Sequence, residues 1–181
     1  MTNPDELSRK ESSYFDDLHV GQRIISGTHL IDEEQIKAFA KQFDPQPFHL
    51  DAKAAKDTLF EGLVASGWHT AAISMRLLVQ SVPIAGGIVG AGGEIAWPKP
   101  TRPGATLHVE SEILELRPSR SRPDRGMATI RSETVNQLGE IVQVLIAKLV
   151  VPRRTSPAAL AQENSVQIEE RRVGKECRSR W

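Results

Sequence analysis

The order of periodicities along the chain predicts an α+β fold. Helical spacing comes early, in the stripe Ile36, Phe39, Ala40 and Phe43 and in a long apolar stretch from about Gly67 to Val82. Strand patterns come late, in three segments near Leu107–Leu116, Met127–Val135 and Ile141–Val151 that alternate or run apolar. Helices first and long antiparallel strands afterwards segregate the two kinds of element instead of interleaving them.

Taken in order, Tyr14-Phe15-Asp16-Asp17 leads to a turn at Val20-Gly21 and a short strand from about Arg23 to Leu30, with Ile24, Ile25, Leu30 and Ile31 as its apolar positions. Asp32 is placed to cap a helix, with Gln35 completing a capping box. That helix stops at Asp44-Pro45. From Asp44 to His49 the prolines at 45 and 47 hold the backbone out of helix and sheet and push Asp44 and Gln46 from the α region, which predicts a stiff overhang. Asp51 then caps a short helix over Ala52–Lys56, and Leu59-Phe60-Glu61-Gly62 connects to the long element.

In that element Trp68, Ala71, Ala72, Met75, Leu78, Val79 and Val82 form an apolar arc too wide for a surface helix, which predicts one buried, central helix ended by Pro83 and Gly86-Gly87. The strand Ile88–Trp97 is glycine-rich, and Gly90, Gly92 and Gly93 mark a bulge or the close approach of another backbone. A punctuated turn follows from Pro98 to Gly104. Leu107, Val109, Ser111 and Ile113 alternate with polar residues in a half-buried strand that runs to Leu116. Pro118–Arg125 reads as a mobile basic loop, Gln137-Leu138-Gly139 as a reversal, and Pro152 closes the last strand.

These boundaries divide the chain into an arm (1–13), one domain (14–152) and a disordered or non-native tail (153–181). Within the tail only Ala158–Gln162 suggests a fragment of helix. The abrupt basic end, Arg171–Trp181, reads as vector-derived or read-through and is left out of the fold.

Composition narrows the function classes. The chain has 181 residues, 39% hydrophobic, enough for one substantial core. Its 23 basic and 23 acidic residues cancel, so no global field calls for nucleic acid or an anionic membrane. No apolar run reaches the roughly 20 residues needed to span a bilayer, and Met1–Glu11 lacks the apolar centre of a secretory signal. A cytoplasmic protein with neither nucleic-acid nor membrane partners is therefore expected. Cys177 can form no internal disulfide and is given no role. His19, His29 and His108 have no carboxylate or cysteine at ligand spacing, so no metal site is expected.

Asp44 and His49 are the sharpest chemical pair. A carboxylate and an imidazole sharing one water can divide the work of taking its proton and returning one to a substrate. On spacing alone the pair reads equally well as a turn residue and a packed histidine. Gly67 begins the long helix, where free N–H groups and the positive end of the dipole favour a developing oxyanion; its bland reading is a tight turn into the helix. His69 beside it reads as packed more readily than as pocket-lining, and Ser74 as bonding back to the preceding turn. The run Gly86–Gly93 lacks the Gly-Lys-Ser/Thr ending of a phosphate loop.

Phe43-Asp44-Pro45-Gln46-Pro47-Phe48-His49, with Leu50-Asp51 and Ala54-Ala55 after it, resembles the hydratase signature of the MaoC-like dehydratases, the (R)-specific enoyl-CoA hydratase group. The resemblance runs from about Tyr14 to Val151 and includes the glycine opening a long apolar helix and the Trp97-Pro-Lys-Pro turn. It implies a hot-dog fold, an antiparallel sheet wrapped around one long central helix, and a homodimer or higher homo-oligomer. It also implies an Asp44/His49 catalytic dyad with the Gly67 amide as oxyanion donor. Gln46 stands where the family usually carries Asn, and Ser66 where a His is common. Substrate contact is assigned to Gln46, Ser66, Trp68, Ala71 and Met75.

The activity implied is that of a hydro-lyase of fatty-acid metabolism, adding water to a 2-enoyl thioester to give a 3-hydroxyacyl thioester. No cofactor is expected beyond coenzyme A as part of the substrate, with Lys99, Arg102 and the Arg117–Arg125 loop as candidate partners for its phosphates. The alternatives on the same scaffold are an acyl-CoA thioesterase and a non-catalytic acyl-CoA-binding protein. A paired histidine argues against the first, and retention of both dyad residues against the second.

Overall fold

The computed structural model describes residues 12–154. The expectations for the first eleven residues, Ala158–Gln162, Arg171–Trp181 and Cys177 therefore lie outside the described residues.

The three late patterns form long neighbouring strands, β4 (Ala105–Pro118), β5 (Arg125–Val135) and β6 (Ile141–Pro152), paired antiparallel. Alternation along β4 buries Ala105, Leu107, Val109, Ser111 and Ile113 on one face, as its sequence predicts. Two short strands, β1 (Arg23–Ile25) and β2 (His29–Ile31), share the outer edge of β4. The sequence predicts one strand here. It is broken at Ser26, whose Oγ accepts the Val109 N–H at 2.8 Å and so takes the place of a ladder carbonyl.

β3 (Val89–Ala96) closes the other side of the six-stranded sheet, in the order β1-β4-β5-β6-β3. Its glycines do both things expected of them. The register slips between Gly90 and Gly92, and a Cβ on Gly93 would lie 2.6 Å from the Ile146 carbonyl oxygen. Apart from half-buried Ile95, every residue of β3 is exposed.

α1 (Glu33–Phe43) is capped by Asp32, whose carboxylate accepts the Gln35 N–H at 2.8 Å. The reciprocal arm of the capping box is not made, because the Gln35 amide turns to the Asp32 side chain and to the His29 ring. Ile36 and Ala40 anchor α1 in the core, while Phe43 is 69% exposed. Asp51 caps the next short element as expected, accepting from the Lys53 and Ala54 amides, although the helical turn begins later, at Ala54–Asp57.

The long helix α3 (Gly67–Ser81) lies where predicted, but of its expected apolar arc only Leu78, with Val82 just beyond the helix end, is buried. Its buried residues are His69, Thr70, Ile73, Ser74, Leu77, Leu78 and Ser81, whereas Trp68, Met75 and Val79 are exposed. Hydroxyls can occupy the buried side because each is satisfied on the spot. Ser74 Oγ donates to the Thr70 carbonyl at 2.8 Å and meets Thr134 Oγ1 at 2.6 Å, and Ser81 Oγ donates to the Leu77 carbonyl at 2.7 Å.

Backbone and ionic pairing reach past both domain boundaries read from the sequence. Ser13 bridges to Ile84, donating to the Pro83 carbonyl and accepting from Ala85, and Arg153 and Arg154 pair with Asp16 and Asp17. Among the described residues no helix is long and apolar enough to cross a membrane.

Candidate active site

The overhang is one step more ordered than its prolines suggest. Asp44 ends α1 with φ −152° and ψ 70°, and Gln46 is extended with φ −84° and ψ 145°, so both lie outside the α region as predicted. Pro47, however, starts a single helical turn, α2 (Pro47–Leu50), occupying the first position, where its missing N–H costs nothing. That turn rotates His49 inward and leaves it 5% exposed.

Two bonds fix the imidazole. His49 Nδ1 lies 2.8 Å from the Val64 carbonyl oxygen. A carbonyl only accepts, so the network assigns the hydrogen to Nδ1, and Nε2 is the free acceptor of the neutral ring. Nε2 faces Asp44 Oδ2 at 3.4 Å. The segment supplying the carbonyl is itself clamped, with Val64 N–H donating to Phe48 and Ala65 N–H to Thr101.

Asp44 is half-buried, and burial works to raise its carboxyl pKa. The neighbouring Ser66 hydroxyl and the Gln46 amide, together with attraction to His49 when its ring is protonated, outweigh that effect and hold the group below the usual carboxylate value. Gln46 Nε2 donates to Asp44 Oδ1 at 2.7 Å. Ser66 is 1% exposed and caps α3, accepting the Trp68 N–H on its Oγ at 3.2 Å.

Gly67, the first residue of α3, presents an N–H with no partner inside the helix. A Cβ there would meet the Trp97 indole at 2.8 Å, so glycine is required by the close approach of that ring. Trp97 also donates its Nε1–H to the buried Gln143 at 3.0 Å, which fixes the indole against the helix start.

These groups line one cleft of about 460 Å³. Asp44, His49, Ser66 and Gly67 line it together with an aromatic and proline set, Phe48, Phe60, Trp68, Trp97, Pro98 and Pro100. Of the residues assigned to substrate contact, Gln46, Ser66 and Trp68 line it, with Gln46 engaged on Asp44 and Ser66 on the Trp68 N–H. Ala71 and Met75 do not line it. They stand on the Trp68 side of α3 but about 6 and 12 Å further along the axis, while the cleft sits at the first turn.

His69 faces away, lining a separate groove with Phe39, on which it stacks at 4.6 Å. Burial, and then the nearby His29, push its pKa down to about 4. Ser74 bonds back to the preceding turn. The Val64 carbonyl and Phe60 were not singled out from sequence as site residues, and Phe48 and Trp97 entered only as members of the signature and of the turn.

The candidate cations are already engaged or remote. Lys99 lines the cleft with its Nζ 2.6 Å from Glu140, and Arg102 donates to the Phe60 carbonyl at 2.8 Å. The Arg117–Arg125 loop lies at the opposite end of the 14-residue β4 from the Pro98–Gly104 turn.

Residues 18–136 match the MaoC like domain family. The fold matches a MaoC-like dehydratase from Rhodospirillum rubrum with a TM-score of 0.78 and 58% identity, covering 79% of this chain and 99% of that one. It also matches the R-hydratase PhaJ1 from Pseudomonas aeruginosa, with a TM-score of 0.65 and 27% identity over 78% of this chain and 86% of that one. The Bacillus subtilis protein YdeM, itself uncharacterized, is 32% identical over 125 residues, 67% of this chain and 86% of that protein. The antiparallel sheet with α3 against it is thus a hot-dog fold, and the chain belongs to the MaoC-like domain family.

Proposed function

We propose that this protein is a hydro-lyase that adds water reversibly across the C2=C3 bond of a 2-enoyl thioester, giving the 3-hydroxyacyl thioester. The observation that carries the reading is the 3.4 Å approach of His49 Nε2 to Asp44 Oδ2, with Nδ1 tied to Val64. Two acceptors pointed at one another favour a shared hydrogen donor, and a water giving one hydrogen to each would be held for attack. Kinship with MaoC-like dehydratases and R-hydratases supports hydratase or dehydratase chemistry in general.

In the forward direction the water oxygen bonds to C3 while one O–H bond breaks, its proton passing to the dyad. The π electrons of C2=C3 move onto the thioester oxygen, which the Gly67 amide at the positive end of α3 stabilises. The resulting enolate collapses as the dyad returns the proton to C2. Conjugation to the thioester already acidifies the α-carbon, so neither metal nor redox cofactor enters. The acyl group packs against the aromatic wall. A groove of about 300 Å³ that shares Lys99, Pro100 and Thr101 with the cleft, and adds Arg102 and Gln137, receives the carrier arm, with coenzyme A as the proposed carrier.

We also propose a homodimer, since β3 is an exposed free edge and Trp68, Met75, Val79 and Val89 are exposed apolar residues.

Hydration of crotonyl-CoA, followed by loss of enoyl absorbance, tests the reaction. Asp44→Asn and His49→Ala are each expected to lower it by about 100-fold or more while leaving the fold intact. Unchanged turnover in either variant rules out the dyad. A thiol reagent run in parallel separates hydrolysis, since thiol release without hydration would make the protein a thioesterase.

A further inference from the structure

We propose that the groove between α1 and α3 is a second ligand site, separate from the cleft, for a small aromatic carboxylate that carries a hydroxyl at its far end. His69 meets the hydroxyl and Arg76 the carboxylate.

The groove holds about 510 Å³, within the range of small-molecule sites, and shares no lining residue with the cleft. His69 lines it and is 8% exposed, and its Nδ1 is buried with no hydrogen-bond partner among the described residues. A buried polar atom left unpaired costs stability that an apolar side chain in the same place would not. The ring is held in position by Phe39, against which it lies parallel within 3° at 4.6 Å between centroids. Burial, and then the nearby His29, keep the imidazole neutral, so one ring nitrogen donates and the other accepts. A phenolic hydroxyl can give or take a hydrogen bond and therefore suits Nδ1 in either tautomer. His29 does not fill that role, because its Nε2 pairs with Gln35 Oε1 at 3.0 Å.

Arg76 lines the same groove seven residues further along α3, about 10 Å down the axis. It is exposed and has neither a hydrogen-bond nor an ion-pair partner among the described residues. No residue lining the groove is acidic, so the local field favours an anion, and the planar guanidinium matches a carboxylate in shape. Between His69 and Arg76, Ala72 and Ile73 fall on the same helix face and make a short apolar floor. Phe39 and the exposed Phe43, centroids 5.0 Å apart, supply aromatic surface from the α1 side. A polar atom, an apolar span with aromatic flanks and an unpaired cation, in that order, describe a ring substituted at opposite ends. The flexible Arg76 side chain reaches back over the rest of the distance.

The test titrates the unmodified protein with para-hydroxybenzoate, benzoate and phenol while the histidine ring resonances are followed by NMR, assigned through His69→Phe and His49→Ala. Para-hydroxybenzoate is expected to shift His69 and leave His49 in place, with benzoate and phenol each binding about tenfold more weakly. Arg76→Gln, an exposed change that the fold tolerates, is expected to weaken para-hydroxybenzoate about tenfold. His69→Phe keeps an aromatic ring against Phe39; binding read from the probe's own resonances is expected to weaken about tenfold, while the urea midpoint holds or rises because an unpaired polar atom is gone. No shift of His69 at millimolar probe overturns the proposal, as does a shift of His49 in its place, which would put the probe in the cleft. Phenol binding as well as para-hydroxybenzoate, or affinity unchanged in Arg76→Gln or in His69→Phe, overturns it as well.

Discussion

A methyl group at position 67 would stand 2.8 Å from the Trp97 indole, so the residue whose amide is proposed to serve the oxyanion is also fixed by packing. Gly67→Ala is expected to destabilise the fold by roughly 1–3 kcal/mol, the usual cost of overpacking. In a Trp97→Ala background the same change should cost much less, and a double-mutant cycle in urea unfolding measures the difference. Equal costs in both backgrounds would remove the indole as the reason for glycine. At this scale the Asp44/His49 pair was legible through the family resemblance, because its spacing alone reads equally well as a turn residue and a packed histidine and the two prolines account only for the stiff connection between them. The Val64 carbonyl, which sets the imidazole's tautomer, was not, since a main-chain acceptor leaves no mark in the side-chain pattern and becomes an anchor only through tertiary contact.

At the scale of elements, α3 shows where pattern and burial part. Its length and its start at Gly67 followed from the sequence, but the apolar arc from Trp68 through Met75 to Val79 faces outward. A stripe of hydroxyls and a histidine goes inward with Ile73, Leu77 and Leu78. Apolar count predicts burial only when polar groups have nowhere to be satisfied inside, and here each helix hydroxyl bonds a carbonyl four residues back or a partner on the sheet. Ser74→Ala should therefore cost about 1–3 kcal/mol by stranding Thr134 Oγ1, whereas Ser74→Ala with Thr134→Val should recover most of that loss in thermal unfolding. Equal losses in the single and double variants would show that packing, and not the 2.6 Å bond, sets the cost. The short strands behaved in the opposite way. Their apolar positions were visible, but the break at Ser26 depends on a side-chain bond to β4 that no local pattern announces.

For the whole molecule the segregation of helices and strands was enough to give the class, and the resemblance around Asp44–His49 gave the hot-dog arrangement that the sheet order bears out. Partnership between copies belongs to this scale. Replacing Met75 and Val79 together with lysine is expected to shift the proposed homodimer to a single chain by light scattering, since both are exposed apolar residues one turn apart on α3. A mass that does not change would place any interface elsewhere. The edge-on contact of Trp68 and Trp97, centroids 5.4 Å apart, has a further bearing. Of the chain's three indoles, these two form part of the cleft wall. Intrinsic emission is thus weighted toward the one region where a thioester would dock, and the protein carries its own optical gauge of occupancy even when no chemistry follows.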